Sequence, residues 1–385
     1  MKNNKHKFKI WKGIALVILI VLGAPMGAKA ETDTMVTSDG FSYIEEWDGS
    51  NTYCITGYQG EGGEITIPGK IKGKKVSNIS SHVFEANETL TKVTIGEGIE
   101  KLGNEVFGNC LNLTQIGIPA SMKSTSNAFV SCENLVKFTV AKKNKIYKAK
   151  DGVLISKYGD TVILEAYPGG RKGTYTIPKE VTDIGEQAFF GAVNLTQVTI
   201  PGTCKSISPN AFDSCTKLNT VKIKKGGITY LGYKVFAHCT SLKKVSISSD
   251  VYAIKEGTFM GCTKLSTVNI DKKNKYMAVS KGVIYSKYKN NKTIFQLLPS
   301  VKRENGVFTV PNDVCVVAGG AFGEIEGLTM IDFSKSKVKE FEPYQWKGLK
   351  EGTLIIKKGS KLAKSIQNAD SVSEDQAHFY VKYVK

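Results

Sequence analysis

One spacing of apolar residues occurs eight times along the chain, mostly in units of 22 to 24 residues. Each unit has a phenylalanine, a leucine six residues later, and apolar residues nine and eleven residues after the phenylalanine. Two apolar residues separated by one polar or small residue are typical of a short strand with one buried side. The pattern therefore predicts one strand in each unit. The phenylalanines are Phe84, Phe107, Phe129, Phe189, Phe212, Phe236, Phe259 and Phe322.

Units of this length cannot bury a strand alone, but stacked units bury their apolar sides against one another. We therefore expect a solenoid in which each phenylalanine packs on the next and serves as structure rather than as a ligand site. An aliphatic residue also lies five positions before the phenylalanine in seven units, with Ser124 as the exception. Counting the less regular end units gives about twelve short parallel strands, near Ile67, Ile95, Ile118, Val140, Ile177, Ile200, Ile223, Ile247, Ile270, Val310, Phe333 and Ile356.

Two intervals between phenylalanines are much longer than the others. They span 60 residues from Phe129 to Phe189 and 63 residues from Phe259 to Phe322. Both contain the sequence KKNK, which begins at Lys142 and again 130 residues later. Alternating runs flank polar turns at 157–160 and 289–292, which predicts a β-hairpin in each. We place insertions near 141–173 and 271–306 and interpret them as one internal duplication.

The first thirty residues are typical of a targeting signal rather than of a folded domain. A lysine-rich leader precedes a short apolar run at 13–23, and Ala28, Lys29 and Ala30 fit a cleavage site. We predict a signal peptide at 1–30 and a secreted mature chain without a stable membrane span; an uncleaved anchor is the alternative. We assign 31–68 as an N-terminal capping region, 69–357 as the repeat array and 358–385 as a C-terminal cap, because solenoid ends need atypical units.

The repeat unit resembles a known family. The segments IGEQAFFGAVNLTQVTIP, at 184–201, and ISPNAFDSCTKLNTVKI, at 207–223, are similar to the BspA-like (type 5) leucine-rich repeats. The resemblance covers about 41–361. It implies a β-rich leucine-rich repeat solenoid, that is, a repeat superhelix, with two β-hairpin insertions. It also implies a secreted or cell-surface protein associated with adhesion to host matrix or to other cells, and it supplies no shared catalytic residues.

Eight cysteines in a secreted chain first suggest disulfides. Five of them occupy one position of the unit, which elsewhere holds Asn87, Ala192 and Ile325. We predict a small buried site in which reduced thiols are favoured, because parallel side chains in register are poorly oriented for a disulfide. Disulfides remain the alternative. The five are Cys110, Cys132, Cys215, Cys239 and Cys262; Cys54, Cys204 and Cys315 lie outside this position.

The sequence predicts neither an enzyme nor a cofactor or metal site. It has no HExxH, GxSxG, phosphate-binding loop or CxxC pair. His238 beside Cys239 could form a catalytic pair, but we interpret the histidine as the exposed neighbour of a buried thiol. An enzyme with a site in the insertions, the alternative, would need clustered acids or a histidine partner. The insertions are rich in Lys and Tyr instead.

The charge favours an anionic partner. The formal net charge is +18, and it falls to +12 without the leader, which holds six lysines and no acid. Arg171 and Arg303 are the only arginines. Lysine attracts polyanions as a point charge, whereas base reading relies on the planar guanidinium, so we expect no sequence-specific nucleic-acid binding.

The outward side of the predicted strands is the candidate binding face. We expect it to bind an extracellular protein or an acidic glycan; non-specific polyanion binding, and a face that is polar only because it meets water, are the alternatives. Rival sites are the lysines that open the insertions, Lys142, Lys143, Lys272 and Lys273, and tyrosines expected to be exposed there, Tyr147, Tyr158, Tyr285 and Tyr288. The candidate face comprises Lys92, Thr94, Gln115, Lys137, Thr139, Gln197, Thr199, Thr220, Lys222, Lys244, Ser246, Thr267 and Asn269.

Overall fold

The computed structural model describes residues 34–288, 292–323, 325–339, 351–367 and 378–385, so the predicted signal peptide lies outside the described residues. These residues form thirty strands and one short helix. In chain order they are β1 (Met35–Val36), β2 (Phe41–Glu45), β3 (Tyr53–Tyr58), β4 (Gly63–Ile67), β5 (Lys70–Ile71), β6 (Lys74–Ile79), β7 (Leu90–Ile95), β8 (Lys101–Leu102), β9 (Gln115–Ile118), β10 (Lys137–Val140), β11 (Tyr147–Lys150), β12 (Val153–Tyr158), β13 (Thr161–Ala166), β14 (Gly173–Thr176), β15 (Asp183–Ile184), β16 (Leu195–Ile200), β17 (Ser206–Ile207), β18 (Thr220–Ile223), β19 (Tyr230–Leu231), β20 (Lys244–Ile247), β21 (Ala253–Ile254), β22 (Thr267–Ile270), β23 (Met277–Ser280), β24 (Val283–Ser286), β25 (Lys292–Leu297), β26 (Val307–Thr309), β27 (Val314–Val317), β28 (Met330–Asp332), β29 (Glu351–Lys357), α1 (Lys361–Gln367) and β30 (His378–Val384).

Thirteen of the described strands, the front strands, pair in parallel as three groups. The groups are β4-β7-β9-β10, β14-β16-β18-β20-β22 and β26-β28-β29-β30. Twelve of these strands lie at or beside the predicted positions, so the predicted solenoid of short parallel strands is confirmed. The thirteenth, β30, was not predicted; it pairs with β29 in parallel, Leu354 opposite Val381. Both end segments therefore add a strand, β4 from 31–68 and β30 from 358–385.

A second strand, of two residues in five of the seven cases, forms where the aliphatic residue precedes the phenylalanine. These back strands are β6, β8, β15, β17, β19, β21 and β27. Ile184 and Leu231 on the back strands and Val198 on a front strand belong to one buried cluster, so the core lies between the two sets. Ser124, which lacks the aliphatic side chain, forms only an isolated bridge to Lys101.

The insertions are three-stranded antiparallel units that join the back strands. In the first, β11, β12 and β13 pair in sequence, and β13 continues in parallel onto β15. The predicted hairpin is β12–β13, with Tyr158 opposite Thr161 across the turn. The second insertion repeats this with β23, β24 and β25 joined to β27; its predicted turn lies partly outside the described residues. The third strand of each unit was not predicted.

The N-terminal region contains the same hairpin. There β2 and β3 pair antiparallel, and β3 continues in parallel onto β6. All three hairpins have a register shift at the same point, between Ser42 and Tyr43, between Leu154 and Ile155, and between Ile284 and Tyr285. A β-bulge at a fixed place is a specific structural feature rather than a defect. The hairpin is therefore a repeated module with three copies among the described residues.

The phenylalanines stack as predicted, and each stack ends at an insertion. Phe84, Phe107 and Phe129 are separated by 5.1 and 5.9 Å between ring centroids. Phe189, Phe212, Phe236 and Phe259 follow at 4.4, 5.2 and 5.8 Å. Tyr167 of the first insertion takes the phenylalanine position, with its ring 4.8 Å from Phe189. The structural role of the repeated phenylalanine is confirmed.

The cysteines are reduced thiols, as favoured from the sequence. The five at the repeat position are buried, and each donates its S–H to the carbonyl of the phenylalanine one unit earlier. Cys110 bonds Phe84 O at 3.0 Å, and the other four make the same contact at 3.1 Å. Burial raises the pKa of Cys110 to about 11 and that of Cys204 to about 12. Cys110 and Cys204 are therefore protonated at neutral pH, and the five thiols at the repeat position satisfy backbone carbonyls inside the solenoid.

Candidate functional site

The front strands bring the thirteen predicted residues into two sets. Lys92, Gln115 and Lys137 lie side by side on the first group, with Thr94 and Thr139 in the neighbouring row. The second group carries one row of Gln197, Thr220, Lys244 and Thr267 and another of Thr199, Lys222, Ser246 and Asn269. All thirteen are exposed or half-buried. The alternation of the strands therefore places them outward, as expected.

A turn of the first insertion ends the first group. Phe138 N donates to Gly152 O at 2.9 Å, so the turn between β11 and β12 packs on the edge of β10. Gly152 has a φ of 78°, and a Cβ there would lie 2.9 Å from Lys137 Cβ. Only glycine fits such a positive φ at this close approach. The two sets of face residues therefore belong to separate ladders.

The charge is distributed unequally over the face. Lys92 Nζ lies 3.0 Å from Glu64 Oε2 on the preceding front strand, so its charge is partly compensated. Lys137, Lys222 and Lys244 have no ion pair within the described part of the chain. The second group has no acid at its outward positions, which also include Thr174 and Thr176 on β14. Its face is uncharged apart from two lysines.

The KKNK sequence that opens each insertion has a structural role. Asn144 is buried; its Nδ2 donates to Pro119 O at 2.8 Å, and its Oδ1 accepts from the backbone N–H groups of Ile146 and Tyr147. Asn274 makes the same contacts in the second insertion. The four lysines beside these asparagines are exposed and remain a rival site.

The prediction that Tyr147 is exposed was wrong. Its ring is buried, at 3% exposure, and its hydroxyl accepts a hydrogen bond from Thr125 N at 3.1 Å. The hydrogen bonds of Asn144 turn the chain so that the side chain of Tyr147 faces the core. The equivalent position of the second insertion holds Met277, which is also buried. Tyr285 is half-buried, whereas Tyr158 and Tyr288 are exposed as expected.

One carboxylate of the first insertion is partly buried. Glu165 on β13 accepts a hydrogen bond from the Ser156 hydroxyl. Burial raises the pKa of Glu165, and the serine hydrogen bond opposes this increase. The raised pKa keeps the proton on this carboxyl group to a higher pH than on a freely exposed glutamate.

His238 and Cys239 have different hydrogen-bond partners. His238 Nδ1 lies 2.9 Å from Asp213 Oδ1, and its side chain is 43% exposed. Cys239 Sγ instead donates to Phe212 O, and burial raises the pKa of this thiol well above its ordinary value. The interpretation of the histidine as an exposed neighbour of a buried thiol is confirmed.

A group of three side chains could in principle hold a metal ion. His82, Glu85 and Glu105 have ligand atoms within 4.8 Å of one another. His82 and Glu85 are exposed, Glu105 is half-buried, and His82 Nδ1 is 2.8 Å from Glu85 Oε2. The ion pair between His82 and Glu85 accounts for this contact without a metal.

The back strands carry a groove that was not predicted from the sequence. This open cavity of about 490 Å³ has three exposed tyrosines on its walls, two from one unit and one from the next. Exposed aromatic residues at positions outside the core pattern were the available signal. Its lining, the tyrosine groove, consists of Ser206, Ile207, Ser208, Pro209, Tyr230, Gly232, Tyr233, Tyr252 and Lys255.

A break in the back ladder accompanies the groove. In the described structure β17 pairs with β15 and β19 pairs with β21, but β17 and β19 belong to different sheets. The interval from Phe212 to Phe236 is 24 residues, whereas the intervals on either side are 23. The additional residue lies between β18 and β19, directly before the segment that does not pair with β17. The groove opens where this pairing is lost.

The repeat array matches a known protein family. A model described as "BspA type Leucine rich repeat region" matches residues 63–153 and 172–281 in six copies, which is more than half of the chain. The protein belongs to the BspA-type leucine-rich repeat family. The matched residues contain the front strands β7 to β22, and leucine-rich repeat proteins of this kind are generally non-enzymatic binding scaffolds. No curated protein matches the sequence.

Several solved structures resemble the chain at low identity. The pneumococcal vaccine antigen PcpA is 15% identical, covering 92% of this chain and 99% of that one, with a TM-score of 0.43. A leucine-rich repeat protein of Eubacterium ventriosum is 19% identical, covering 81% and 96%, at 0.40. A leucine rich cell surface protein of Faecalibacterium prausnitzii is 22% identical, covering 65% and 96%, at 0.35. Among the described residues, no helix is long and apolar enough to cross a membrane.

Proposed function

We propose that the protein is a secreted or cell-surface binding protein that attaches to an extracellular protein through its front strands. The observation that carries this proposal is the outward side of the second front group. Its five strands present threonine, glutamine, serine, asparagine and two lysines, with no acid. With strands about 4.8 Å apart, this surface offers rows of hydrogen-bonding groups over roughly 20 Å and attracts a negatively charged partner.

The family supports a binding role. The resemblance of the repeats implies adhesion to host matrix or to other cells, and the similar protein of Faecalibacterium prausnitzii is described as a cell surface protein. The predicted signal peptide is consistent with secretion. Binding rather than catalysis is also favoured because the thiol nearest to His238 is buried and bonded to a backbone carbonyl.

A charge-matched pair of variants tests the front face. The first replaces Lys137, Lys222 and Lys244 with Gln; the second replaces Lys142, Lys143 and Lys272 with Gln and serves as the control. Binding of the mature protein to immobilised matrix proteins and to whole cells is measured across a range of salt concentrations. We expect the first variant to bind more weakly and with less salt dependence, while the control binds normally, because an exposed lysine contributes chiefly through screened long-range attraction.

Three results would contradict the proposal. If only the control variant loses binding, the insertions carry the site. Equal binding of the wild type to heparin, polyglutamate and matrix proteins would indicate non-specific attraction to polyanions. No binding to any matrix protein or cell would remove the basis for an adhesive function.

A further inference from the structure

The tyrosine groove lies on the back strands, away from the face to which the proposed function is assigned. Tyr230, Tyr233 and Tyr252 are 40%, 54% and 45% exposed, so each ring offers part of its surface to solvent. The groove volume of about 490 Å³ lies within the roughly 300–1,000 Å³ range of small-molecule sites. Three large aromatic side chains around one open cavity are unusual on a surface that is otherwise polar.

The lining combines flat apolar rings with polar edges. The tyrosine hydroxyls and Ser208 offer hydrogen bonds, the Ser206 hydroxyl donates to Asp183 and can still accept, and Ile207 and Gly232 are buried. A sugar ring has the matching chemistry, since its C–H groups form an apolar face and its hydroxyls form a polar rim. The strands beside the groove, β17 and β19, are two residues long and too short to extend a peptide ladder.

The charge of the groove selects among sugars. Lys255 is the charged residue in the lining, and it is exposed. The carboxylate of Asp183 on β15 accepts hydrogen bonds from the hydroxyls of Thr182 and of Ser206, and Ser206 belongs to the lining. The groove therefore presents a positive group beside aromatic rings, which favours a carboxylate-bearing ligand over a neutral one.

The aromatic surface continues beyond the groove. The ring of Tyr276 lies 6.1 Å from that of Tyr252 at an interplanar angle of 69°. Tyr276 is 38% exposed, so a further ring stands next to the groove on the following unit. A strip of this kind suits a chain of sugars better than a single one.

We propose that the tyrosine groove binds an acidic carbohydrate chain, with sugar rings stacked on Tyr230 and Tyr252 and a sugar carboxylate beside Lys255. This site is independent of the front strands. It would let one protein hold a protein partner on one side and an acidic glycan on the other.

The test uses the mature protein and defined acidic oligosaccharides. The panel contains tetragalacturonate, hexamannuronate and a hyaluronan hexasaccharide, each paired with its methyl-esterified, uncharged form. We expect at least one acidic oligosaccharide to bind and its ester to bind more weakly. Tyr230→Ala and Tyr252→Ala should each weaken binding about three- to tenfold, the effect of losing one aromatic contact. Tyr252→Phe should retain most of the affinity, because the ring is kept.

Matched variants separate the roles of ring and charge. Lys255→Gln should abolish the preference for the acid over its ester while leaving binding of the ester unchanged. Tyr158→Ala removes an equally exposed tyrosine from the first insertion and should have no effect. Circular dichroism of each variant shows whether it is folded.

Several outcomes would overturn the inference. One is that no acidic oligosaccharide of the panel binds the wild-type protein. Another is that binding persists in the Tyr230 and Tyr252 double alanine variant, or falls equally in Tyr158→Ala. Peptide binding through the tyrosines without carbohydrate binding would assign the groove to a different class of ligand. Loss of glycan binding in the front-face lysine variant, with the tyrosines intact, would place the site on the front strands.

Discussion

Replacing Phe212 with Ala tests whether the stacked phenylalanines hold the solenoid together. The Phe212 side chain is fully buried, and its ring lies 4.4 Å from Phe189 and 5.2 Å from Phe236. Emptying a buried phenylalanine site typically costs about 3–5 kcal/mol. Each aromatic contact adds about 0.5–1.5 kcal/mol, and Phe212 loses two, so we expect a cost near the upper end, about 4–5 kcal/mol.

Phe259 provides an internal comparison within the same core. It is also buried, but its described stacking contact is a single one with Phe236 at 5.8 Å. If ring contacts contribute as inferred, Phe259→Ala should cost about 1 kcal/mol less than Phe212→Ala. Lys222→Thr on β18 is the surface control, because the side chain is exposed and should change stability by less than about 0.5 kcal/mol. Thr220 is a poorer control because it is half-buried and bonded to Asn219.

Urea unfolding followed by circular dichroism measures these differences. Long repeat arrays can unfold in steps, so transition midpoints are compared rather than one global free energy. With a slope of about 2 kcal/mol per molar urea, a cost of about 4 kcal/mol lowers the midpoint by about 2 M. A midpoint for Phe212→Ala that matches the wild type would show that the ring does not support the core. A larger loss for Phe259→Ala would refute the contribution assigned to stacking.

Two further predictions concern buried ionisable groups. Thiol labelling of the native protein should modify Cys315 and Cys54, which are partly accessible, and Cys54 should react slowly because burial raises its pKa. The other six cysteines are buried and should react only on unfolding. Rapid labelling of all eight cysteines in the native protein would contradict the buried thiols. Because burial raises the pKa of Glu165, the folded state holds the proton of this carboxyl group more tightly than the unfolded state does. The stabilisation from the protonated carboxyl is complete below the ordinary pKa of 4.5 and is lost as the pH rises through the raised pKa of the folded state. Glu165→Gln should therefore stabilise the protein at pH 7 relative to the wild type and weaken the pH dependence of the urea midpoint, and an unchanged pH profile would show that Glu165 is solvated.

The repeating part of the fold could be predicted because each unit carries its own information. A period of two fixes which side of a front strand is buried, and the phenylalanine fixes the phase of the stack. The strand β30 could not be predicted this way, because its segment HFYVKYV lies outside that phase and its position depends on pairing with β29. The similarity of the N-terminal hairpin to the insertions could not be predicted either, because the hairpins share the position of a β-bulge rather than a sequence motif.

The candidate face could be predicted, but the groove could not. Outward positions such as Lys222 follow from alternation within a single strand. The groove lies where β17 and β19 are not paired, and pairing between units cannot be read from the pattern within one unit. The error at Tyr147 has a similar origin, because the asparagine caps beside it set the direction of the chain.

The second front group and the tyrosine groove are carried by the same units, with the stacked phenylalanines between them. Lys222 and Lys244 lie outward on β18 and β20, whereas Tyr230 is outward on β19, between them in sequence. The two surfaces share a core but no side chain, so surface variants should affect one kind of binding at a time. A core variant such as Phe212→Ala should weaken both in parallel, at the urea concentration where this core begins to unfold. Two sites on one scaffold predict that each surface variant loses one kind of binding, whereas the core variant loses both protein and carbohydrate binding. A single extended site would instead lose both kinds of binding in the lysine variant and in the tyrosine variants alike.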